Sequence, residues 1–272
     1  MKMRTRSATL ALCMLASLTL AARAGDDKEL QNMKGSVSYQ TRSANAKPLA
    51  INSTVVLTNN DYAITGPSSL AAVGLPDSSR VLVGAESKIQ LGFFDQAATT
   101  TARFIVYNGK VRFIVQHPQG AKADYTFKTP TASVAVRGTE GDIESDGNTL
   151  RVNVYEVCDP NAPVTVTTKD GKSFTLLAGQ SLLAQLVNGV VKAQVDQLTQ
   201  QMIDQFSPDF GVPTSWDALQ SQVVGQAQSH ASSAIDSVTG GYGSSIVGGL
   251  FGHKHDTTPA PSPSPKSDTC SH

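Results

Sequence analysis

Residues 102–115 read ARFIVYNGKVRFIV, two alternating runs joined by Asn108-Gly109. Asn-Gly accepts the positive φ angles that a two-residue hairpin loop needs. If it forms such a loop, Phe104 pairs with Phe113, and one face of the hairpin is wholly apolar: Ala102, Phe104, Val106, Val111, Phe113 and Val115. The other face carries Arg103, Lys110 and Arg112. The stretch therefore predicts an antiparallel hairpin with one buried and one solvated face.

A second turn signal, Asp146-Gly147, predicts another hairpin downstream. With this dipeptide as the loop, Ile143 faces Leu150, and Asp142 meets Arg151 as a cross-strand charge pair. Further Val-, Ile- and Thr-rich runs are separated by Asp170-Gly171 and Asn188-Gly189. Together these patterns predict a mainly β, antiparallel domain over residues 33–190.

After Val190 the apolar residues recur at spacings of three and four, as on one face of a helix: Val191, Val195, Leu198, Met202 and Phe206. Pro208 and Pro213 interrupt this pattern, and a second helix is predicted from Thr214 or Ser215 to about Val238. We therefore expect two short helices within residues 191–238. Residues 239–272 are rich in Gly, then in Pro and Ser, and are expected to be disordered.

Residues 1–24 have the features of a signal peptide. Basic residues precede an uncharged run from Ala8 to Ala22, and Ala22-Arg23-Ala24 suits a signal peptidase. We expect cleavage after Ala24 and a periplasmic or secreted product with no spanning helix; a retained membrane anchor is the alternative. Cleavage removes four of the 22 basic residues and none of the 22 acidic residues, which leaves a net charge of −4. A mildly acidic chain argues against a nucleic-acid partner.

Residues 129–156, TPTASVAVRGTEGDIESDGNTLRVNVYE, resemble the signature of the FecR domain family, and weaker similarity extends over residues 33–187. The resemblance implies an all-β, partly solenoid-like or sandwich-like domain in the periplasm. In the best-known members this domain follows a cytoplasmic anti-sigma segment and a membrane span, and it relays an iron-uptake signal. We expect this chain to be a stand-alone exported version. The family-motif residues, expected to be structural, are Thr129, Pro130, Arg137, Gly138, Thr139, Gly179 and Gln180.

Two roles are open for the motif residue Arg137, one structural and one in partner binding. Strict alternation places it on the face opposite Val134 and Val136. A bulge at Gly138 would turn the guanidinium inward to bind neighbouring carbonyl groups, and Arg137→Ala would then lower thermal stability. The alternative is a guanidinium that contacts the carboxylate of a partner.

Four alternating carboxylates follow this motif: Glu140, Asp142, Glu144 and Asp146. A calcium site would use such oxygen ligands, but a straight strand spreads them apart, so a solvated polar face is expected. Cys158 lies in a local insertion at residues 157–163, and a disulfide to Cys270 competes with free or intermolecular thiols. No metal site and no cofactor are predicted.

The sequence contains no G-x-S-x-G, H-E-x-x-H or phosphate-binding loop, so we do not expect an enzyme. The leading hypothesis is an exported FecR-like module that mediates an interaction with a protein or another envelope component, linked to cell-surface signalling. The alternative is a structural envelope scaffold that self-associates through its C-terminal helical and Gly-rich region.

Overall fold

The computed structural model describes residues 27–42, 44–116, 122–213 and 215. This part of the chain forms seventeen β-strands and one α-helix. The strands are β1 (Lys28–Lys34), β2 (Val37–Gln40), β3 (Lys47–Leu49), β4 (Thr54–Leu57), β5 (Tyr62–Thr65), β6 (Leu70–Gly74), β7 (Arg80–Val83), β8 (Lys88–Gln96), β9 (Thr99–Val115), β10 (Lys122–Lys128), β11 (Ala132–Val136), β12 (Thr139–Ser145), β13 (Thr149–Val157), β14 (Val164–Thr168), β15 (Ser173–Leu176), β16 (Gln180–Val187) and β17 (Val190–Gln197). The helix α1 spans Gln200–Phe210. The prediction of a mainly β fold is confirmed.

The strands pair in two layers. Layer A has the order β4-β1-β6-β7-β9-β12-β13-β16-β17. Layer B has the order β3-β2-β5-β8-β9-β10-β11-β14-β15. All pairs are antiparallel except β9 with β10, so the sheet is mixed rather than purely antiparallel. From β10 onwards, consecutive strand pairs alternate between the layers.

Strand β9 belongs to both layers and joins them into one continuous sheet. Its first part, up to Asn108, pairs with β8 and β10 in layer B. Its second part, from Gly109, pairs with β7 and β12 in layer A. The predicted hairpin at Asn108-Gly109 is therefore wrong, because the chain does not reverse there. The positive φ of Gly109, 99°, instead lets the strand pass from one layer to the other.

The buried face predicted for residues 102–115 is nevertheless present. All six apolar residues of that face are at most 1% exposed. They join a single hydrophobic core to which both layers contribute. The ring of Phe113 in layer A lies 5.4 Å from that of Phe127 in layer B, measured between centroids. Alternation thus identifies the core face correctly even though the turn was misread.

The second hairpin exists, but its register is shifted by two residues from the predicted one. Ser145 faces Leu150 and Ile143 faces Val152, with residues 146–149 as the loop. The Asp146 carboxylate accepts the backbone N–H groups of Asn148 and Thr149, at 2.9 and 2.6 Å, so the turn needs two more residues than a minimal loop. A shift of two leaves each side chain on its face and changes only its partner.

The predicted start of the helical segment at residue 191 is wrong. Residues Val190–Gln197 form strand β17, which pairs with β16 along its whole length. Val191 and Val195 are four residues apart, an even number, so they share a face of a strand as well as of a helix. The helix starts at Gln200, where the Thr199 hydroxyl accepts the N–H of Met202 as an N-cap.

Several sequence-based predictions fall outside the described residues. These are the signal peptide at residues 1–24, the second helix up to Val238, the tail at residues 239–272, and Cys270. They stay predictions. Within the described part of the chain, no helix has the length and apolar character to cross a bilayer.

Candidate functional site

We treat separately two of the places where charged side chains gather in the described part of the chain. The first, the Arg137 groove, is a surface depression of about 430 Å³ at the start of β10 and at the loop after β13. Its polar lining residues are Thr99, Lys122, Asp124, Arg137, Asp159 and Asn161. The second, the Arg112 cluster, lies on the outer face of layer A beneath α1 and consists of Arg112, Glu140, Asp142 and Tyr155.

The two carboxylates of the Arg137 groove are already engaged. Arg103 donates to the Asp124 carboxylate at 2.8 Å and to its backbone carbonyl at 2.7 Å. The Asp159 carboxylate accepts the backbone N–H of Asn161 at 2.9 Å. Among the described residues, Lys122 and Arg137 make no side-chain hydrogen bond and no ion pair. The groove therefore presents two cations without an ion-pair partner and one carboxylate, that of Asp159, without a cation among the described residues.

Arg137 does not have the inward orientation that the sequence predicted. It is exposed and follows β11 at its C-terminal end, next to Gly138 with a φ of 66°. The backbone carbonyl of Gly138 accepts the N–H of Cys158 at 3.0 Å, which holds the β11–β12 turn against the loop after β13. The guanidinium thus projects into the groove and stabilises no neighbouring carbonyl group among the described residues.

The other motif residues have local structural contacts. At the opposite end of β11, the Thr129 hydroxyl donates to the carbonyl of Ala132 and accepts its N–H, both at 3.0 Å, so it closes the turn that contains Pro130. Thr139 is buried, and its hydroxyl has no partner among the described residues. The motif residues thus lie at the two ends of β11, with Thr129 and Pro130 before the strand and Arg137, Gly138 and Thr139 after it.

The closing motif lies elsewhere in the fold. The side-chain oxygen of Gln180 accepts the N–H of Leu177 at 2.8 Å, which fixes the turn before β16. Gly179 bonds through its backbone to Val154 and to Leu198. These contacts tie β16 to β13 and to the end of β17, away from the Arg137 groove.

Cys158 lies in the loop that was predicted at residues 157–163, and this loop forms one wall of the Arg137 groove. Cys158 is disulfide-bonded. Its predicted partner, Cys270, lies outside the described residues.

In the Arg112 cluster, an ion pair is buried on the outer face of layer A. Arg112 and Asp142 lie opposite each other on β9 and β12. Nε of Arg112 donates to Oδ1 of Asp142 at 2.7 Å, and Nη2 donates to Oδ2 at 3.0 Å. Tyr155 donates its hydroxyl to the same carboxylate. The guanidinium lies between the rings of Tyr155 and Phe210, with centroids 5.4 and 5.2 Å away.

Burial and pairing with Asp142 have opposite effects on the pKa of Arg112 and the same effect on the pKa of Tyr155. Burial tends to lower the pKa of the Arg112 guanidinium, but the hydrogen bonds and charge of Asp142 outweigh it and raise that pKa, so Arg112 stays charged. Burial also raises the pKa of the Tyr155 hydroxyl, and the neighbouring Asp142 carboxylate adds to this rise. Tyr155 therefore stays protonated and acts as a donor.

The C-terminal end of the described chain covers this cluster. Arg112 Nη1 donates to the carbonyl of Gly211 at 2.9 Å. Glu140 accepts both the backbone N–H and the hydroxyl of Ser215, at 3.2 and 2.8 Å. Lys110 pairs with Asp209 at 3.0 Å. We call the described residues 199–213 and 215 the clasp.

The solvated face predicted for the alternating carboxylates is therefore wrong for half of its members. Glu140 and Asp142 are 1% and 0% exposed, and Arg151 faces Glu144 rather than Asp142. Arg112, predicted on the solvated face, is 2% exposed. Alternation did place these side chains away from the core, but the clasp covers them. Among the described residues, no three His, Cys, Asp or Glu side chains are placed to hold a metal ion.

The comparisons with known proteins agree with the motif at residues 129–156. The FecR protein family model matches residues 61–156, which run from the start of β5 to the end of β13 and include Arg137. This confirms the resemblance to the FecR domain over that part of the chain. No curated protein matches the chain.

Two solved structures are similar to part of the fold. Both are crystal structures of a protein titled "putative anti-sigma factor" from Parabacteroides distasonis. Each is 16% identical, and the TM-scores are 0.43 and 0.42. The alignments cover 53% of this chain and 63% and 64% of those chains, so this chain spans less than two thirds of their length.

Proposed function

We propose that this chain is an exported FecR-like binding module that engages a protein of the cell envelope through the Arg137 groove. The observation that carries the proposal is the exposure of Arg137: a motif side chain that stabilises no described neighbour is free to contact a partner. The match to the FecR protein family over residues 61–156 supports a role in signalling rather than in catalysis, because the best-known FecR domains relay a signal.

The charges of the groove define the partner's chemistry. Asp124 is paired with Arg103, whereas Lys122, Arg137 and Asp159 are in no ion pair among the described residues, so two positive charges and one negative charge of the groove are uncompensated. A guanidinium forms bidentate hydrogen bonds with a carboxylate. The partner surface is therefore expected to present Asp or Glu side chains.

The test is quantitative capture of envelope proteins by the tagged full-length chain. Arg137→Gln is expected to reduce capture of the specific partner at least about tenfold, because a central Arg contact is worth 2 kcal/mol or more. Arg80→Gln is the matched control, since Arg80 is an exposed arginine on layer A outside the groove. If Arg137→Gln and Arg80→Gln retain the same partner equally, the groove is not the contact surface.

Export is tested separately. The mature protein is expected in the periplasm or the medium, and N-terminal sequencing should begin at Gly25. A chain that retains Met1–Ala24 in the membrane fraction would contradict export as a soluble product.

The scaffold alternative gains no specific support from the described residues. α1 belongs to the region predicted to self-associate, but it packs on its own sheet. Size-exclusion chromatography of the full chain tests the alternative, which requires an oligomer.

A further inference from the structure

The clasp fills a polar depression on the outer face of layer A. Three charged side chains of the sheet, on Arg112, Glu140 and Asp142, are at most 2% exposed although they point away from the core. They are buried because the clasp lies over them. Without the clasp, this part of the sheet would present a guanidinium, two carboxylates and the ring of Tyr155 to solvent.

Much of the contact is with atoms that any helix offers at its C-terminal end. Arg112 donates to the carbonyl groups of Phe210 and Gly211, at 3.5 and 2.9 Å, where α1 ends. The last carbonyl groups of a helix have no partner within the helix and carry partial negative charge. Arg112 therefore recognises the end of a helix through backbone atoms, with little dependence on the helix sequence, whereas Lys110 pairs with the Asp209 side chain.

Three side chains of the clasp make contacts that would favour a helix of this sequence over other helices. Phe210 packs against the backbone of Gly84, where an added Cβ would lie 3.0 Å from the ring. Asp209 pairs with Lys110, whose ammonium group also lies 5.4 Å from the centroid of the Phe206 ring. The sheet thus accommodates a helix that ends in an acidic residue followed by an aromatic residue, with a second aromatic residue one turn earlier.

The helix of the clasp has little intrinsic stability when it is not docked. α1 has eleven residues and contains Pro208, and its first turn has no acidic residue and its last turn no basic residue. Isolated helices of this length are marginal in water. Undocking would expose the apolar side chains of Ile203, Phe206 and Tyr155 together with the charged groups, which would be hydrated. This apolar set is much smaller than the main core, so undocking exposes less apolar surface than opening the core would.

From these contacts we propose that the outer face of layer A between Gly84 and Tyr155 is a receptor site for the C-terminal end of an amphipathic helix. The clasp is its resident, displaceable occupant. A partner helix with an acidic–aromatic end replaces the clasp and makes the same contacts with Lys110 and Arg112. This site is separate from the Arg137 groove and does not depend on it.

Hydrogen exchange of the full-length chain tests whether the clasp opens on its own. The amide groups of α1 are expected to exchange at least about 100-fold faster than those of β13 and β16, through an opening that leaves the sheet intact. If the α1 amides exchange only with global unfolding, the clasp is a fixed part of the fold and the proposal fails.

Peptide binding tests whether the site accepts a helix in trans. The probe is a fluorescent peptide with the sequence of residues 199–215. Phe210→Ala in the full-length chain weakens its own clasp and is expected to tighten binding of the peptide about tenfold or more, because apparent affinity rises with the fraction of open receptor. Asp209→Asn removes only the ion pair with Lys110, so it should also tighten peptide binding, but by a smaller factor.

Two controls complete the titration. Gln201→Ala changes an exposed position of α1 and should leave peptide affinity at the wild-type value. A peptide that itself carries Phe210→Ala should bind the Phe210→Ala chain at least about tenfold more weakly than the unaltered peptide. Absence of binding to both weakened chains, or equal binding to them and to the wild-type chain, would overturn the proposal.

Discussion

Arg112 and Asp142 lie directly opposite each other on neighbouring strands, point away from the hydrophobic core, and are nevertheless almost fully buried. Their two hydrogen bonds, of 2.7 and 3.0 Å, form a bidentate ion pair. Taking two charges out of water is costly, and only close geometry with further hydrogen bonds offsets that cost. Tyr155 and the carbonyl of Gly211 supply the additional bonds.

Removal of one member of this pair should destabilise the fold strongly. Arg112→Met leaves the Asp142 carboxylate buried without its cation and is expected to lower the free energy of unfolding by about 3–5 kcal/mol. The double variant Arg112→Met/Asp142→Leu should recover at least half of that loss, because the Asp142 carboxylate is no longer left buried without its cation. Urea denaturation measures both. A double variant as unstable as the single one would show that the pair itself, and not the stranded carboxylate, sets the cost.

Gly109 and Gly147 form a matched test of the layer crossing. Their φ angles are similar, 99° and 94°, but a Cβ at Gly109 would lie 2.1 Å from the Ser87 hydroxyl and 2.4 Å from its Cα, whereas nothing lies within 4 Å at Gly147. Gly147→Ala should cost about 1–2 kcal/mol, the usual strain of a left-handed residue. Gly109→Ala should cost at least about 2 kcal/mol more, since the backbone must also move.

Equal losses of stability for Gly109→Ala and Gly147→Ala in urea denaturation would contradict the layer crossing. Such a result is what an ordinary exposed hairpin loop at Asn108-Gly109 would give. The comparison therefore distinguishes the observed path of β9 from the path that its sequence suggests.

Arg137→Ala should leave stability unchanged within about 0.5 kcal/mol, because the side chain is exposed and makes no described contact. This reverses the expectation from sequence that the substitution lowers thermal stability. Differential scanning calorimetry of the full chain is the measurement. A fall in melting temperature of several degrees would show that the guanidinium stabilises the fold after all.

The turn at Asp146 should contribute a measurable acid dependence. The backbone N–H groups of Thr149 and Asn148 hold the pKa of the Asp146 carboxyl below its ordinary value in the folded chain. The resulting stabilisation is present above the unfolded pKa of about 3.9 and is lost as the pH falls through the lower, folded pKa. Asp146→Asn keeps an oxygen acceptor but does not titrate.

We therefore expect Asp146→Asn to be less stable than the wild-type chain at neutral pH, with the difference shrinking as the pH falls below about 4. Urea midpoints measured across this range give the result. A difference that stays constant, or grows towards acid, would mean that the carboxylate is not the group that the turn stabilises.

The sequence predicted what depends on local pattern and missed what depends on distant neighbours. Alternation over residues 102–115 identified the buried face, since side-chain direction follows from strand geometry alone. Asn108-Gly109 was misread because a positive φ serves a layer crossing as well as a hairpin. Only the strands on either side of β9, which come from distant parts of the chain, distinguish the two.

The candidate sites show the same limit. The motif at residues 129–156 drew attention to Arg137, but not to its exposure, which depends on the loop that carries Cys158. The Arg112 cluster escaped prediction because Arg112 and Asp142 are 30 residues apart and meet only when β12 pairs with β9. Their burial depends further on the clasp, about 100 residues downstream of Arg112. No short stretch of the sequence indicates that β12 pairs with β9 or that the clasp covers the ion pair.

The position of β9 in both layers also affects how the chain can fold during its synthesis. As the polypeptide emerges N-terminus first, β9 can pair with β7 and β8 on one side as soon as it appears. The opposite edge of its first part can pair only after β10 has been made, and that of its second part only after β12. Until residue 128 has emerged, a nascent chain would display both of these open strand edges at once, and the edge in layer A stays open until residue 145 has emerged. Such edges are templates for aggregation. Molecular chaperones that hold the chain extended would therefore be needed most in this interval.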